Sequence, residues 1–272
     1  MNAPQNDLEN LLGTLGRYSQ IAVAVSGGVD SMTLATLIHR HSDAQTQIFH
    51  AVSPAVPAEA TRRVRSLAMQ ESWALTVIDA GEFDDDRYRT NPVNRCYYCK
   101  SNLYDAIAPR TSAQIVSGAN LDDLGEYRPG LEAAAARGVR HPYVEAGVGK
   151  QSVRRIARWL ALPEIAELPA SPCLASRIET GIAIDPAMLG LVHRVEQLIG
   201  RSLAPRTVRC RIRATGVVIE LDEDCLNQLD SQRMTRIRAR ALDLVRDARY
   251  DYDVRFESYR VGSAFLTGTE QI

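Results

Sequence analysis

The sequence predicts an α/β fold built on a parallel sheet, followed by a smaller α+β module. Three observations carry this. Short apolar runs at residues 21–25, 46–52 and 74–78 alternate with helical patterns. That β-α-β-α-β order is what a parallel sheet with right-handed crossovers requires. A loop of small residues, Ser26-Gly27-Gly28-Val29-Asp30-Ser31, stands between the first strand and a helical run over 32–39. Beyond 180–186 the alternation stops and a different spacing of strands and helices begins. The expected domains are 1–182 and 183–272.

Taken in order, residues 8–18 read as a short amphipathic helix leading into the first strand. The second strand, 46–52, runs into a loop with Ser53, Pro54 and Pro57. In a parallel sheet that loop lies at the carboxyl ends of the strands, the ligand side, and is expected to contact a bound ligand. Residues 58–71 form a helix with Arg62, Arg63 and Arg65 on its outer turns. Residues 81–95 are polar and aperiodic, and Asp84, Asp85 and Asp86 read as a solvated loop or a helix start. The segment Asn91-Pro92-Val93-Asn94-Arg95-Cys96-Tyr97-Tyr98-Cys99-Lys100 precedes a helix ending at Ile107. A fourth strand covers 115–118, with Asn120, Leu121, Asp122 and Asp123 at its carboxyl end. Residues 131–137 read as an alanine-rich helix and 141–144 as a short fifth strand. Val153, Ile156, Ala157 and Leu160 give 151–160 the period of an amphipathic helix. Pro163, Pro169 and Pro172 then break the chain into a loop carrying Cys173-Leu174-Ala175-Ser176-Arg177. In the second module, 186–199 and 233–249 read as helices, and 207–213, 216–221 and 252–256 as strands.

The bulk properties exclude several classes. A chain of 272 residues that is 45% hydrophobic has ample material for a core. A formal net charge of −1 argues against holding nucleic acid by bulk electrostatics, while local basic patches stay open. The first ten residues are polar and slightly acidic, without the apolar core of a secretion signal. No apolar run approaches the roughly 18 residues of a membrane span. A cytoplasmic protein is expected. There the five cysteines read as metal-binding or catalytic before they read as disulfides.

Strand, small-residue loop and helix N-terminus together cradle phosphate, because glycines let the backbone approach and several N–H groups point at the anion. No Gly-Lys-Ser/Thr follows, so this is not the loop that transfers a γ-phosphate. The plainer alternative is a tight Gly-Gly turn opening a helix. Cys96 and Cys99 form a C-x-x-C, with Cys173 far along the chain. Three thiols can hold one [4Fe–4S] cluster and leave one iron open. Zinc would lack a fourth ligand at finger spacing; a redox pair or two incidental buried thiols are the other readings. Cys173 lies in a proline-bounded loop near Arg177. A nearby cation favours the nucleophilic thiolate, whereas a packed loop cysteine would be inert. Cys210 and Cys225 look structural. The period of two puts Val208, Cys210 and Ile212 on a core face and Arg209, Arg211 and Arg213 on the other. Those arginines are either a clamp for phosphate or carboxylate or a solvated basic edge strand.

Several separate stretches together resemble one family. The Ser-Gly-Gly-Val-Asp-Ser loop is similar to the PP-loop of ATP pyrophosphatases. Residues 26–31, 91–100, 118–131, 171–178 and 259–263 look like signature segments of the LarE-type ATP-dependent sacrificial sulfur transferases, in the family's order and over nearly the whole chain. The resemblance implies an adenine-nucleotide alpha-hydrolase (HUP-like) sheet with a small C-terminal α+β module for substrate binding and oligomerisation. It implies that ATP adenylates a carboxylate of a pyridinium-dicarboxylate mononucleotide, a precursor of the nickel-pincer cofactor of lactate racemase. Pyrophosphate leaves, and sulfur then displaces AMP to give a thiocarboxylate. Ser26, Gly27, Gly28, Val29, Asp30 and Ser31 would bind the nucleotide with Gly118, Asn120, Asp122 and Asp123. Asp30 suits Mg²⁺, which takes hard oxygen ligands. Arg209 and Arg211 would grip a substrate phosphate, with Glu196 and Arg177 nearby. Cys173 matches the family's sulfur-donating cysteine. With Cys96 and Cys99 it matches the three-cysteine members, which bind a [4Fe–4S] cluster and pass on a cluster-bound sulfide. A homo-oligomer is implied, and the sulfur donor to the protein is left open.

The chain departs from the family's pattern at Glu179-Thr180-Gly181-Ile182, at Val52-Ser53-Pro54 and at Ser117-Gly118-Ala119-Asn120. The nucleotide and sulfur segments are kept, and the acceptor's surroundings differ. Other readings are a tRNA-thiolating PP-loop enzyme, an amidating PP-loop synthetase, which needs no cysteine, and a non-enzymatic nucleotide or cluster sensor.

Overall fold

The computed structural model describes residues 5–125, 127–260 and 262–263. Glu126 and Val261, each inside a signature segment, and the first four residues of the polar N-terminal stretch lie outside the described residues. In chain order the elements are α1 (Gln5–Leu15), β1 (Gln20–Ala24), α2 (Val29–His41), β2 (Gln45–Ala51), α3 (Ala58–Glu71), β3 (Leu75–Ile78), α4 (Asp86–Arg89) and α5 (Arg95–Ile107). Then come β4 (Gln114–Ser117), α6 (Pro129–Ala135), α7 (Pro142–Glu145), α8 (Lys150–Trp159) and α9 (Pro163–Ala166). The rest is α10 (Pro186–Leu203), β5 (Val208–Arg213), β6 (Gly216–Leu221), α11 (Glu223–Asn227), α12 (Ser231–Asp247) and β7 (Val254–Ser258). The chain divides into two compact units, Met1–Asp85 with Cys96–Ser171 and Asp86–Arg95 with Pro172–Ile272.

The first unit is an α/β layer structure on a parallel four-stranded sheet ordered β3-β2-β1-β4. β1 is central and buried on both faces, as helices above and below a parallel sheet demand. Its side chains alternate. Ile21 and Val23 join a core with Leu11 and Leu15 of α1, Leu34 and Ile38 of α2 and Ile156 of α8. Ala22 and Ala24 face Phe49, Tyr104 and Ile107 of α5 and Ala134 of α6. Each fully buried Leu or Ile contributes roughly 1.5–3 kcal/mol. The order of strands reverses between β1 and β4, so the loops leaving those two strands flank the crevice where parallel sheets take ligands.

Some local expectations are corrected. Residues 141–144 are not a strand: Pro142 opens the one-turn helix α7, where its missing N–H costs nothing. Only Arg140, just before it, bridges to Val116 in parallel. Pro163 likewise opens a short helix inside the stretch read as loop. The C-x-x-C lies within the first turns of α5, not ahead of it. Asp86 begins α4.

The second unit carries a three-stranded sheet ordered β5-β6-β7, antiparallel then parallel. All of β6 is buried, including Glu220. Asp185 caps α10 by accepting from the Ala187 and Met188 amides, and Asp230 caps α12 by accepting from the Arg233 amide. Leu189, Val192, Val195 and Ile199 of α10 and Ile237, Ala241 and Val245 of α12 are buried. Among the described residues no helix is long and apolar enough to cross a membrane.

Glu220 should be the most sensitive residue of this unit. Its carboxylate takes Arg211 Nε at 2.9 Å and Arg213 Nη2 at 2.8 Å, and it is 1% exposed. Glu220→Gln leaves a buried guanidinium uncompensated, so urea denaturation is expected to show a loss of about 3–5 kcal/mol. A pH dependence follows from His50, buried on β2 between the Val25 carbonyl at 2.9 Å and Thr61 Oγ1 at 3.0 Å. Burial pushes its pKa below the ordinary imidazole value. The unfolded chain therefore binds the extra proton first. Stability should be flat above about pH 7 and fall as pH drops below about 6.5. Denaturation midpoints from pH 8 to 5 should show this slope, and His50→Gln should reduce it.

Candidate functional site

The loop after β1 is shaped by crowding. Gly27 has φ +83°, and a Cβ there would sit 2.8 Å from the Ala60 carbonyl oxygen. Arg63 is turned toward this loop rather than outward with the rest of its helix turn: its Nη1 donates to the Gly27 carbonyl at 2.5 Å. Ser31 closes the loop from inside. Its Oγ accepts from the Ser26 amide at 3.0 Å and lies 3.2 Å from Ser26 Oγ. On the other side of the crevice, a Cβ on Gly118 would lie 2.8 Å from the Ser31 nitrogen. The loops after β1 and β4 thus meet backbone to backbone, at the N-terminus of the 13-residue helix α2. Such a terminus, with its unpaired N–H groups, suits a phosphate.

Asp30, in the first turn of α2, collects the surrounding polar groups. Its Oδ1 accepts from Asn120 Nδ2 at 3.2 Å and its Oδ2 from Lys150 Nζ at 2.6 Å. The buried Tyr143 hydroxyl, whose pKa burial raises, donates to the Asp30 carbonyl at 3.2 Å. Asn120 in turn is held by Asp123, whose Oδ2 accepts from its amide at 3.0 Å, and its Oδ1 accepts from the Asp122 amide at 3.1 Å. Asp122 Oδ2 accepts from the Lys150 amide, which pins the start of α8. Asp30, Asn120, Asp122 and Asp123 are therefore one constellation within the first unit. Lys150, Arg63 and Tyr143 belong to it and escaped the sequence reading. One signal was present for Lys150. A cation at the first position of a helix opposes the helix dipole and asks for a local anion. Beside the constellation, Ser117 Oγ lies 2.9 Å from His141 Nδ1, and burial lowers the His141 pKa.

The cysteines fall in distinct environments. Cys96 and Cys99 are half-buried and stand one turn apart on one face of α5. Cys173 is exposed and heads the 3₁₀ turn Leu174–Arg177. Cys210 is buried, and burial pushes its thiol far above the ordinary range; the Cys225 thiol is raised by the same cause. A raised pKa disfavours the nucleophilic thiolate in both. Among the described residues neither unit by itself brings together three His, Cys, Asp or Glu groups that could hold a metal.

In the second unit the arginines are engaged by carboxylates and carbonyls. Arg177 is 3% exposed and grips Glu196 through Nε at 2.9 Å and Nη2 at 3.1 Å. Its Nη1 donates to the Pro172 carbonyl at 2.7 Å and the Cys173 carbonyl at 3.2 Å. Glu196 also accepts from the Cys210 amide at 2.9 Å. Arg211 is buried; besides Glu220 it reaches the Ser176 carbonyl through Nη1 at 3.0 Å. Arg213 joins Glu220 and Glu257. The basic face of β5 is thus met by acids from β6 and β7 and is not a solvated edge. Arg209 is half-buried with its guanidinium carbon 5.8 Å from the Tyr259 ring centroid, and burial with the nearby Arg177 charge lowers its pKa.

No family model matches the chain. It is 29% identical over 218 residues to the pyridinium-3,5-bisthiocarboxylic acid mononucleotide synthase of Lactiplantibacillus plantarum, covering 78% of each chain. It is 27% identical over 221 residues to an uncharacterized protein, MJ0830, of Methanocaldococcus jannaschii, covering 80% of this chain and 83% of that one. Its identity with the uncharacterized protein slr1717 of Synechocystis sp. is 35% over 228 residues, or 82% of this chain and 84% of that one. The chain belongs to the family of this Synechocystis protein, and its more distant likeness to the named synthase supports a LarE-type family.

Proposed function

We propose that the protein is a cytoplasmic, homo-oligomeric ATP-dependent sulfur transferase of nickel-pincer-type cofactor biosynthesis. It adenylates a carboxylate of a small nucleotide substrate, releases pyrophosphate and replaces the adenylate with sulfur. The observation that carries the reading is the Asp30 constellation set on the Gly27 and Gly118 cradle. The relative from L. plantarum is named for making a bisthiocarboxylic acid mononucleotide, which suggests the product class.

In this reading Ser26, Gly27, Gly28, Val29 and Ser31 wrap the phosphates with backbone N–H groups. The loop at Ser53 and Pro54 faces the adenine. The substrate carboxylate attacks the α-phosphorus, and the bond to the β-phosphate oxygen breaks. Lys150 stands where the leaving pyrophosphate gathers charge, an interaction that counts most in the transition state. Mg²⁺ would supply further neutralisation of that charge. Asp30, a hard oxygen donor, fits it, since its carboxylate already holds one cation, the Lys150 ammonium. Sulfur then attacks the acyl carbon, and the bond to AMP oxygen breaks. A [4Fe–4S] cluster would supply a sulfide nucleophile there. Cys96, Cys99 and Cys173 would be its thiolate ligands; Cys96 and Cys99 stand on one face of α5. The alternative sulfur source is Cys173 itself: its thiolate would displace AMP to form a thioester, and loss of its Cα proton to a base would then break the Cβ–S bond, leaving the thiocarboxylate and dehydroalanine at 173. Arg209 beside Tyr259 takes the substrate phosphate, with Arg177, Glu196 and Arg211 behind it.

Incubation with ATP and a pyridine-dicarboxylate mononucleotide should yield AMP and pyrophosphate. ADP as product would end the adenylation reading. Lys150→Met should slow pyrophosphate release by about 10²–10³. Cys173→Ser should still release pyrophosphate but form no thiocarboxylate; sulfur transfer by this variant would exclude Cys173 as donor or ligand. Anaerobically purified protein should carry iron and sulfide, and Cys96→Ala should be colourless.

A further inference from the structure

The groove between α10 and α12 lies wholly within the second unit, where the two helices pack against each other. Arg194 and Arg201 stand at i and i+7 on α10, two turns apart on one face. Arg233 and Arg240 have the same spacing on α12. Both of the latter reach across to the end of α10. Arg240 Nη1 lies 3.4 Å from Ser202 Oγ, and Arg233 Nη2 donates to the Ser202 carbonyl at 3.0 Å. Arg194, Arg201 and Arg240 line one cleft of about 270 Å³, and the half-buried Leu198 and Leu244 give it an apolar base.

The helix dipole accounts for part of this charge. Arg201 sits in the last turn of α10 and Arg233 covers a carbonyl there, and cations are favoured at a helix C-terminus. Arg194 and Arg240, in the middle of their helices, have no such reason. Elsewhere in the unit arginines are answered by acids. Glu220 and Glu257 meet those of β5, and Arg206 and Arg238 hold Asp224 and Asp253. Among the described residues Arg194, Arg201 and Arg240 form no ion pair, and Asp243, three positions after Arg240, does not reach it. Guanidiniums gathered around one cleft repel each other unless an anion sits between them, and the apolar base weakens the screening by water. The planar guanidinium fork matches phosphate oxygens through paired N–H bonds. Three such forks around so small a space call for a compact anion with several charges, more than one carboxylate supplies.

We propose that this groove is an anion site for a compact polyphosphate, either the free pyrophosphate ion or the triphosphate tail of a nucleotide. It is built from the second unit alone, so it stands apart from the Asp30 constellation and from the sulfur-transfer reading.

Arginine-selective dicarbonyl labelling of the full chain, mapped by peptide mass spectrometry, reads each position separately. Arg194, Arg201 and Arg240 should label freely and be shielded by pyrophosphate, while Arg236 and Arg246, exposed on α12 outside the cleft, keep labelling. In the double variant Arg194→Gln, Arg240→Gln, half-shielding of Arg201 should need on the order of tenfold more pyrophosphate. All three side chains replaced or read here are exposed, so folding is not at stake. Shielding should persist in Lys150→Met, which disturbs only the phosphate cradle of the first unit; its loss there would overturn the proposal. ATP shielding the cleft at lower concentration than pyrophosphate identifies the nucleotide tail as the ligand, and the reverse order identifies the free ion. Equal shielding by sulfate at matched ionic strength would overturn the site, as would equal shielding of Arg236 and Arg246. So would three arginines that resist the reagent before any ligand is added, since another copy of the chain would then cover the groove. Shielding by an RNA homopolymer at lower phosphate concentration than by pyrophosphate would give the groove to nucleic acid and overturn it too.

Discussion

The contact between residue 118 and the start of α2 sets the geometry of the first unit. No side chain fits between Gly118 and the Ser31 nitrogen, so β4 and β1 run close enough for their outgoing loops to touch. That contact is made at the reversal of strand order, the place in a parallel sheet where two loops diverge and leave a crevice. Once it is made, Asn120 is delivered to Asp30, Asp122 to the start of α8, and Lys150 to Asp30 in turn. A larger residue at 118 would part all of these together.

The second unit solves a different problem. Four arginines lie on or beside β5, and in water they would be a solvated fringe. Here Glu196 and Glu220 draw two of them under the surface. Buried ion pairs of this kind often gain little net stability over apolar packing. Their contribution is geometric. The remaining guanidinium nitrogens are left aimed at the carbonyls of Pro172, Cys173 and Ser176, and the turn that presents Cys173 acquires a rigid back. The Cys173 thiol stands exposed on that braced turn.

Much of the architecture was legible in the residues because periodicity reports burial directly. The helix over 58–71 was readable to its ends. So was the strand over 216–221. Misreadings came where a short apolar run has no period to speak of. His141 to Val144 is such a run, and Pro142 turned it into a helix start. The C-x-x-C was placed ahead of its helix because Asn91, Pro92 and Asn94 look like loop residues; the helix begins at Arg95, directly after them. Arg63 looked like one of a row of surface cations, and only the approach of α3 to Gly27 gives it a partner.

The sequence by itself determined most of the succession of strands and helices and the small-residue loop opening α2. These are local properties, set by backbone sterics and by the spacing of apolar side chains. Only the tertiary structure decided the strand order β3-β2-β1-β4, the pairing of Lys150 with Asp30 across 120 positions of chain, and the membership of Asp86–Arg95 in the second unit. The reason is physical. Which distant groups neutralise one another depends on where a close-packed core leaves room, and packing between remote segments leaves no period in the chain to read.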